Sequence, residues 1–257
     1  MKDEIQIPKT IRYLTGLAIG DYDMIREGDR ILIGLSGGKD SFSLLHVLLQ
    51  KQAVAPILFE VGAITIDPQI QGYDPSPLKE HVRTLGVPYF FISQPIGEEA
   101  SRKMEGHTLC SYCSRMKRGI MYSAARREGY SVLALGHHLD DLAESFFMSV
   151  FQNGSLHTIK AHYLNKEGDI RIIRPLIYVR EQDIQDFTKK ADLPIIHSTC
   201  SAYSPYLRVP TQRRRIKQLL SREEQNNPQL FHSLLKAIKP FTIEQAGFDT
   251  KKKKIVT

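Results

Sequence analysis

The chain has 257 residues, of which 42% are hydrophobic and 25% are charged, a composition typical of a globular protein with one α/β domain and appendages. No apolar run reaches the length of a membrane span and the first residues lack a signal-peptide pattern, so we expect a cytoplasmic protein with no membrane partner. The formal net charge of +7 favours a polyanionic partner, nucleic acid first among them.

The first predicted elements are an amphipathic helix within residues 1–28 and a short apolar strand at 30–35. The chain then turns into a helix through the hexapeptide Ser-Gly-Gly-Lys-Asp-Ser at 36–41. Gly37 and Gly38 leave no side chain in the way of a ligand, and the unpaired N–H groups of the helix start lie at its positive end. This pattern predicts a phosphate-binding loop.

The loop has neither the Walker A spacing nor G-x-G-x-x-G, and it resembles the pyrophosphate-binding loop of the ATP pyrophosphatase (PP-loop) superfamily. Members of that superfamily cleave ATP between the α and β phosphates and attach AMP to a carbonyl-type oxygen. The resemblance implies that Asp40 lies near Mg²⁺ and that seven residues bind ATP: Leu35, Ser36, Gly37, Gly38, Lys39, Asp40 and Ser41. The alternative is an ordinary glycine-rich turn of a Rossmann-like domain.

Strands at 57–66 and 88–92, separated by a helix at 78–85, continue a β-α-β-α-β order. This order predicts an α/β fold with a doubly wound, mainly parallel sheet. In such sheets ligands bind at the carboxyl ends of the strands, where residues 36–41 fall.

Three cysteines carry the second motif. Cys110 and Cys113 are spaced C-x-x-C and lead into a helix that contains Lys117, while Cys200 stands alone. So sparse and odd a set argues against a disulfide framework and indicates metal or redox chemistry. A helix N-terminus and nearby cations favour the thiolate that such chemistry needs.

The third motif, Gly-His-His-Leu-Asp-Asp at 136–141, follows a predicted strand at 132–135. One of its carboxylates is expected to cap the following helix. Capping accounts for only one of the carboxylates. For Gly136, His137 and the second carboxylate we favour contact with the nucleotide or Mg²⁺.

The hydrophobic pattern of the remaining sequence predicts a hairpin at 159–173, a helix at 181–191 and a last strand at 193–196. It also predicts two basic helices at 209–220 and 228–238. Four cations near the start of the first basic helix are candidates for RNA binding, with a solvated helix face as the alternative: Arg213, Arg214, Arg215 and Lys217. The predicted division is an N-terminal helical segment (1–28), the nucleotide domain (29–200), a basic helical C-terminal extension (201–240) and a flexible lysine-rich tail (241–257).

Together the three motifs and the late cysteine resemble the tRNA 2-thiocytidine synthetases, PP-loop enzymes with a Rossmann-like (HUP) fold. The resemblance implies a [4Fe–4S] cluster on Cys110, Cys113 and Cys200 with one iron free of protein ligands, and Gly136 and His137 at the nucleotide. It implies five catalytic residues: Asp40, Asp141, Lys117, Cys110 and Cys200. The C2 oxygen of an anticodon-loop cytidine, position 32, would be adenylated and replaced by sulfur. The implied partners are tRNA, a sulfur donor (a cysteine desulfurase or sulfide) and a second copy in a homodimer.

The sequence departs from the family where the pattern C-G-S-x-x-N-x-x-R should follow the third cysteine, and this leaves the thiolated nucleotide open. One alternative is a structural zinc site on the cysteines with His107 or His197, in an enzyme that adenylates another base, as the 2-thiouridine and lysidine synthetases do. The 2-thiouridine relatives carry additional C-x-x-C modules that this chain lacks. The other alternative is a non-catalytic RNA-binding module.

Overall fold

The computed structural model describes residues 5–70, 72–103, 109–196 and 212–243, with the side chains of 101–103 and 109–111 left out. The helices are α1 (Lys9–Asp21), α2 (Lys39–Val54), α3 (Ser76–Leu85), α4 (Ile96–Lys103), α5 (Leu109–Arg127), α6 (Leu139–Asn153), α7 (Glu181–Lys190), α8 (Gln212–Asn226) and α9 (Leu230–Ile238). The strands are β1 (Arg30–Gly34), β2 (Glu60–Asp67), β3 (Tyr89–Ser93), β4 (Val132–Ala134), β5 (His162–Leu164) and β6 (Arg171–Ile173). No helix among these is long and apolar enough to cross a membrane.

The six strands form one sheet in the order β3-β2-β1-β4-β6-β5. All neighbouring strands are parallel except β5, which pairs antiparallel with β6 at the edge. Helices cover both faces of the sheet, so β1 is apolar throughout its centre: Ile31 and Ile33 belong to one buried cluster, and Leu32 belongs to the other. The predicted doubly wound, mainly parallel sheet is confirmed.

The order of the strands locates the crevice where a ligand can enter. The chain adds β2 and β3 on one side of β1 and then crosses to place β4 on the other side. The connections at the carboxyl ends of β1 and β4 therefore diverge, as they do at the switch point of other open α/β sheets. The Ser-Gly-Gly-Lys-Asp-Ser loop and the Gly-His-His motif both lie at this point.

The predicted strand at 193–196 is wrong. Pro194 has no N–H to give to a ladder, and Ile195 donates its N–H to the nearby carbonyl of Leu193 at 2.7 Å. Ile196 donates to the carbonyl of Gly37 at 2.8 Å, so this irregular segment supports the phosphate loop instead of the sheet.

Three other local features differ from the sequence predictions. Helix α4 was not predicted, and Cys110 and Cys113 lie in the first turns of α5 instead of before it. Both predicted C-terminal helices are present in the described chain, but α9 is mainly apolar, with Lys236 as its one lysine or arginine. Its apolar face packs against α6, which explains why it carries few charges.

Candidate active site

The loop between β1 and α2 is folded around the hydroxyl of Ser41. This hydroxyl donates to the carbonyl of Gly38 at 2.9 Å and accepts from the N–H and the hydroxyl of Ser36, each at 3.2 Å. Gly37 takes a φ of +85°, a conformation that favours glycine. No side chain of the described residues caps the N-terminus of α2, so its first N–H groups and its positive dipole end are available to an anion.

Gly37 and Gly136 are glycines because other parts of the chain occupy the space of a side chain. A Cβ on Gly37 would lie 2.9 Å from the Ile196 side chain, and one on Gly136 would lie 2.9 Å from the backbone oxygen of Asp40. The end of β4 therefore rests directly on the first turn of α2. This contact joins the two sequence motifs into one rim.

A cavity of about 630 Å³ opens at this rim. One part of its wall is apolar and is formed by Ile64, Ile66, Ile70, Tyr73, Met121 and Leu135. The polar part includes nine residues that come from separate parts of the chain: Ser36, Asp40, Ser41, Ser114, Lys117, Gly136, His137, Asp141 and Arg213. Leu35 also lines the cavity, whereas Gly37, Gly38 and Lys39 are not among its lining residues. A cavity with an apolar side and convergent polar groups suits a nucleotide.

Two carboxylates from different motifs converge on one imidazole. His138 Nε2 lies 3.7 Å from Asp40 Oδ1 and 3.4 Å from Asp141 Oδ2. Because His138 Nδ1 accepts the N–H of Asp141 at 3.3 Å, the ring proton is on Nε2 and faces the two carboxylates. Carboxylates gathered in this way at a cavity are the ligands that Mg²⁺ prefers.

The expected capping role is shared between Asp141 and a histidine. The His138 side chain caps α6, and Asp141 returns a bond by accepting the His138 N–H at 3.2 Å. Asp140 has a different role, since it accepts the N–H of Glu181 at 2.7 Å and pairs with Arg180 at the start of α7. Of the two adjacent carboxylates, Asp141 therefore faces the cavity and Asp140 fixes α7.

His137 is held as a neutral ring. Its Nδ1 accepts from Arg174 Nε at 3.2 Å, which leaves its proton on Nε2. Burial, followed by the charge of Arg174, lowers the pKa of His137 to about 4. Arg174 is itself buried, donates to the Lys160 carbonyl and lines the cavity. His137 is thus a hydrogen-bond donor, not a cation, at neutral pH.

Glu181, which no sequence pattern singled out, connects the phosphate loop to α8. Its carboxylate lies 3.1 Å from the Lys39 ammonium and also binds Lys217. Burial acts to raise the pKa of Glu181, but the hydrogen bond from Lys217 and the charge of Lys39 outweigh it and lower the pKa to about 2. The signal in the sequence was only an acidic residue at a predicted helix start, which is common at any helix.

The four predicted RNA-binding cations of α8 are all exposed, but they lie in different surroundings. Arg213 lines the cavity, with Nη1 3.4 Å from Asp141 Oδ1 and Nε 3.6 Å from Glu144 Oε2. Burial raises the pKa of Glu144 to about 7, with the charge of Arg213 opposing the shift. Lys217 binds Glu181, as described above, and Arg214 and Arg215 do not line the cavity.

Helix α5, which carries the C-x-x-C motif, lines the same cavity, although Cys113 itself is not among the lining residues. Lys117, Ser114 and Arg118 of α5 line the wall, and the half-buried Cys113 lies one turn before Lys117. Helical spacing puts positions 110, 113 and 117 on one face of α5. The side chain of Cys110, and the whole of His107, His197 and Cys200, lie outside the described residues.

The described residues fit an ATP–Mg²⁺ complex in two respects. Lys39 Nζ approaches Asp40 Oδ1 at 3.1 Å but is aligned to donate to Oδ2, so buried Oδ1 has no aligned donor within the described chain. Such an oxygen is suited to a cation. The described residues contain no complete group of three His, Cys, Asp or Glu ligands, so water and phosphate oxygens would complete the shell of Mg²⁺.

The chain is similar to known proteins along most of its length. A protein-family model described as a PP-loop domain matches residues 11–220. The tRNA-cytidine(32) 2-sulfurtransferase of Stenotrophomonas maltophilia (strain R551-3) is 38% identical over 91% of this chain and 77% of its own. The enzyme of the same name from Aliivibrio salmonicida is 39% identical over 91% of this chain and 75% of its own. The one from Stutzerimonas stutzeri is 38% identical over 87% of this chain and 80% of its own.

Among solved structures, the chain is similar to the U34-tRNA thiolase NcsA from Methanococcus maripaludis, determined with its [4Fe-4S] cluster. The TM-score is 0.72 over 93% of this chain and 80% of that chain, at 21% identity. At this identity the likeness supports the fold, in agreement with the sheet described above.

Proposed function

The chain belongs to the PP-loop domain family and, within it, to the tRNA-cytidine 2-sulfurtransferases, and from this premise we propose that it thiolates tRNA at the expense of ATP. The substrate nucleotide is cytidine 32 of the anticodon loop, which is the position named in the relatives. The enzyme forms AMP and pyrophosphate and acts in the cytoplasm, where it meets tRNA and a sulfur donor. A homodimer remains part of the proposal.

One observation carries the proposal: a single cavity joins the phosphate loop, two carboxylates and the C-x-x-C helix. Asp40 and Asp141 approach the same imidazole nitrogen, and Lys117 of α5 lines the same wall. ATP and the sulfur-bearing centre must both reach one base, so a shared cavity is what the reaction requires.

The residues of the chain divide the work on ATP. Ser36, Ser41 and the free N–H groups of α2 bind phosphate oxygens, while Asp40 and Asp141 hold Mg²⁺. The C2 oxygen of the base attacks the α phosphorus, the bond to the bridging oxygen breaks, and pyrophosphate leaves with the electron pair. Lys117 stabilises the negative charge on the phosphates. Sulfur then adds at C2 and AMP departs with the former C2 oxygen.

Cys110, Cys113 and Cys200 would hold the iron–sulfur cluster, and an iron without a protein ligand would supply the site for sulfur delivery. The zinc alternative requires a fourth ligand from His107 or His197, and the RNA-binding alternative leaves the paired carboxylates without a function. We therefore favour the catalytic assignment. An unpaired loop base can be turned into the cavity at low cost, as is usual in RNA recognition.

AMP formation tests the nucleotide half of this proposal. Cluster-loaded protein is mixed with ATP, Mg²⁺ and tRNA, and AMP is measured against a reaction without tRNA. Asp40→Asn keeps the shape of the side chain and removes its charge, so we expect AMP formation to slow by about 100-fold. Asp186→Asn, an exposed change on α7, is the matched control and should retain the wild-type rate. Equal rates of AMP formation in the two variants would show that Asp40 does not act in the site. If the wild type formed no AMP, the RNA-binding alternative would be favoured.

A further inference from the structure

Helix α8 has an inner and an outer face. Ile216 and Leu220 are 6% and 4% exposed and pack the helix against α6. Arg213 and Lys217 flank Ile216 one turn apart, so they share this inner face. Arg214 and Arg215 lie on the exposed part of the helix and do not line the cavity. Of the basic run, Arg213 therefore reaches the cavity, whereas Arg214 and Arg215 do not.

Arg213 is loosely held at the cavity. Its distances to Asp141 and Glu144, 3.4 and 3.6 Å, exceed those of well-formed charge-assisted hydrogen bonds, which are about 2.8 Å. Half of its side chain is exposed. An anion that enters the cavity can therefore draw the guanidinium toward it with little loss of bonding to the described residues.

Two other cations near the cavity, Arg174 and Lys39, are already engaged by described residues. Arg174 is buried and donates to His137 and to the Lys160 carbonyl, so its position is fixed. Lys39 lies between Asp40 and Glu181, and these carboxylates raise its pKa against the effect of burial. Arg213 combines a permanent charge, a planar set of donors and freedom to move, which are the properties of an arginine that stabilises phosphate charge in a transition state.

We propose that Arg213 is a catalytic residue that binds the phosphates of ATP and stabilises the charge on the departing pyrophosphate. The proposal rests on the proposed function. When the base oxygen bonds to the α phosphorus, the electron pair of the broken bond stays on the pyrophosphate, and the Arg213 guanidinium neutralises part of that charge. The competing assignment is that Arg213 binds the RNA backbone along with Arg214 and Arg215.

The test compares Arg213→Ala, Arg213→Lys and the wild-type full-length chain. Single-turnover AMP formation is followed with tRNA and saturating ATP, and the dissociation constants of ATP and tRNA are measured separately. Loss of a transition-state contact slows Arg213→Ala by about 100-fold, with an ATP dissociation constant within about fivefold of wild type. The rate of AMP formation by Arg213→Lys also stays well below that of the wild type, because an ammonium lacks the planar donors of a guanidinium. Arg222→Gln, an exposed change on the same helix, is the control.

Guanidinium ion added to Arg213→Ala distinguishes a chemical role from a structural one. It restores part of the AMP rate if the missing group acts on the phosphates, and it has no such effect on a misplaced helix. If Arg213→Ala melts well below wild type, the comparison is made on Arg213→Lys, whose charge is retained. A near-normal AMP rate, or a loss confined to tRNA affinity with a shallower salt dependence, would overturn the assignment. Failure of the wild type to form AMP would instead count against the proposed function.

Discussion

Gly136 has no side chain because the backbone of Asp40 occupies the space that a side chain would need. The contact is between two backbones, so neither partner can rotate away as a flexible side chain does. The spacing between the phosphate loop and the end of β4 depends on this position. A residue that looks interchangeable in the sequence is thus constrained by the shape of the site.

We predict that Gly136→Ala will lower the free energy of unfolding by about 2 kcal/mol and slow AMP formation, because the first turn of α2 must move. Gly119→Ala is the matched control, since a Cβ on this residue of helix α5 would meet no atom of the described residues within 4 Å. That change should stabilise the protein by about 0.5 kcal/mol. Urea denaturation of both variants checks this, and equal stabilities would show that the rim tolerates a Cβ.

At the same scale, the sequence predicted several individual residues of the site but not all of the contacts that position them. Asp141 and His137 were expected at the nucleotide, and both line the cavity. Glu181 was missed because it lies far from the loop along the chain and joins Lys39 only through the packing of α7 on α2. The role of Asp140 at the start of α7 was also missed, because it depends on tertiary contacts that no spacing rule contains.

Between elements, α2 and α3 are joined by a pair of histidines. His46 Nε2 and His81 Nε2 lie 2.9 Å apart, and His46 is 6% exposed. Burial, followed by the charge of His81, lowers the pKa of His46 to about 4 from its usual 6.5. Between these two pH values the unfolded chain binds a proton that the folded chain excludes, so stability falls as the pH falls.

We predict that wild-type protein will lose about 2 kcal/mol more than His46→Gln on going from pH 7.5 to pH 5, because glutamine does not titrate. The free energy of unfolding at the two pH values measures this difference. His232→Gln alters an exposed histidine of α9 and should preserve the wild-type pH dependence. The same pH dependence in His46→Gln and wild type would show that the pair does not resist protonation.

The outer face of α8 makes a separate prediction. Replacing Arg214 and Arg215 together with glutamine should weaken tRNA binding and reduce the salt slope of the binding constant by about 1 to 2, since each arginine that meets a phosphate releases counterions. Filter binding across a range of salt concentrations measures the slope. Arg222→Gln should leave it unchanged. If the double variant kept the wild-type salt slope, Arg214 and Arg215 would belong to a solvated helix face that does not contact RNA.

Across the whole molecule, the sheet was predictable because its central strands β1, β2 and β4 are buried on both faces and therefore appear as continuous apolar runs. The segment at 193–196 was mistaken for a strand because it is equally apolar. Its role is to support Gly37, and only the assembled fold shows that. The position of the cavity at the carboxyl edge of the sheet could be predicted in advance. The presence of Arg213 of α8 in its wall could not be predicted, because it depends on how α8 packs against α6.

Nucleoside analysis of the product tests most directly whether one cavity both adenylates and thiolates a tRNA cytidine. Cluster-loaded protein, ATP, Mg²⁺, a sulfide source and unmodified tRNA are combined without oxygen, and the tRNA is digested and analysed by mass spectrometry. We expect 2-thiocytidine from position 32, formed only with ATP and absent with Asp40→Asn or with cytidine 32 replaced by uridine. AMP release with no sulfur in any nucleoside, or sulfur in a uridine instead, would contradict this function.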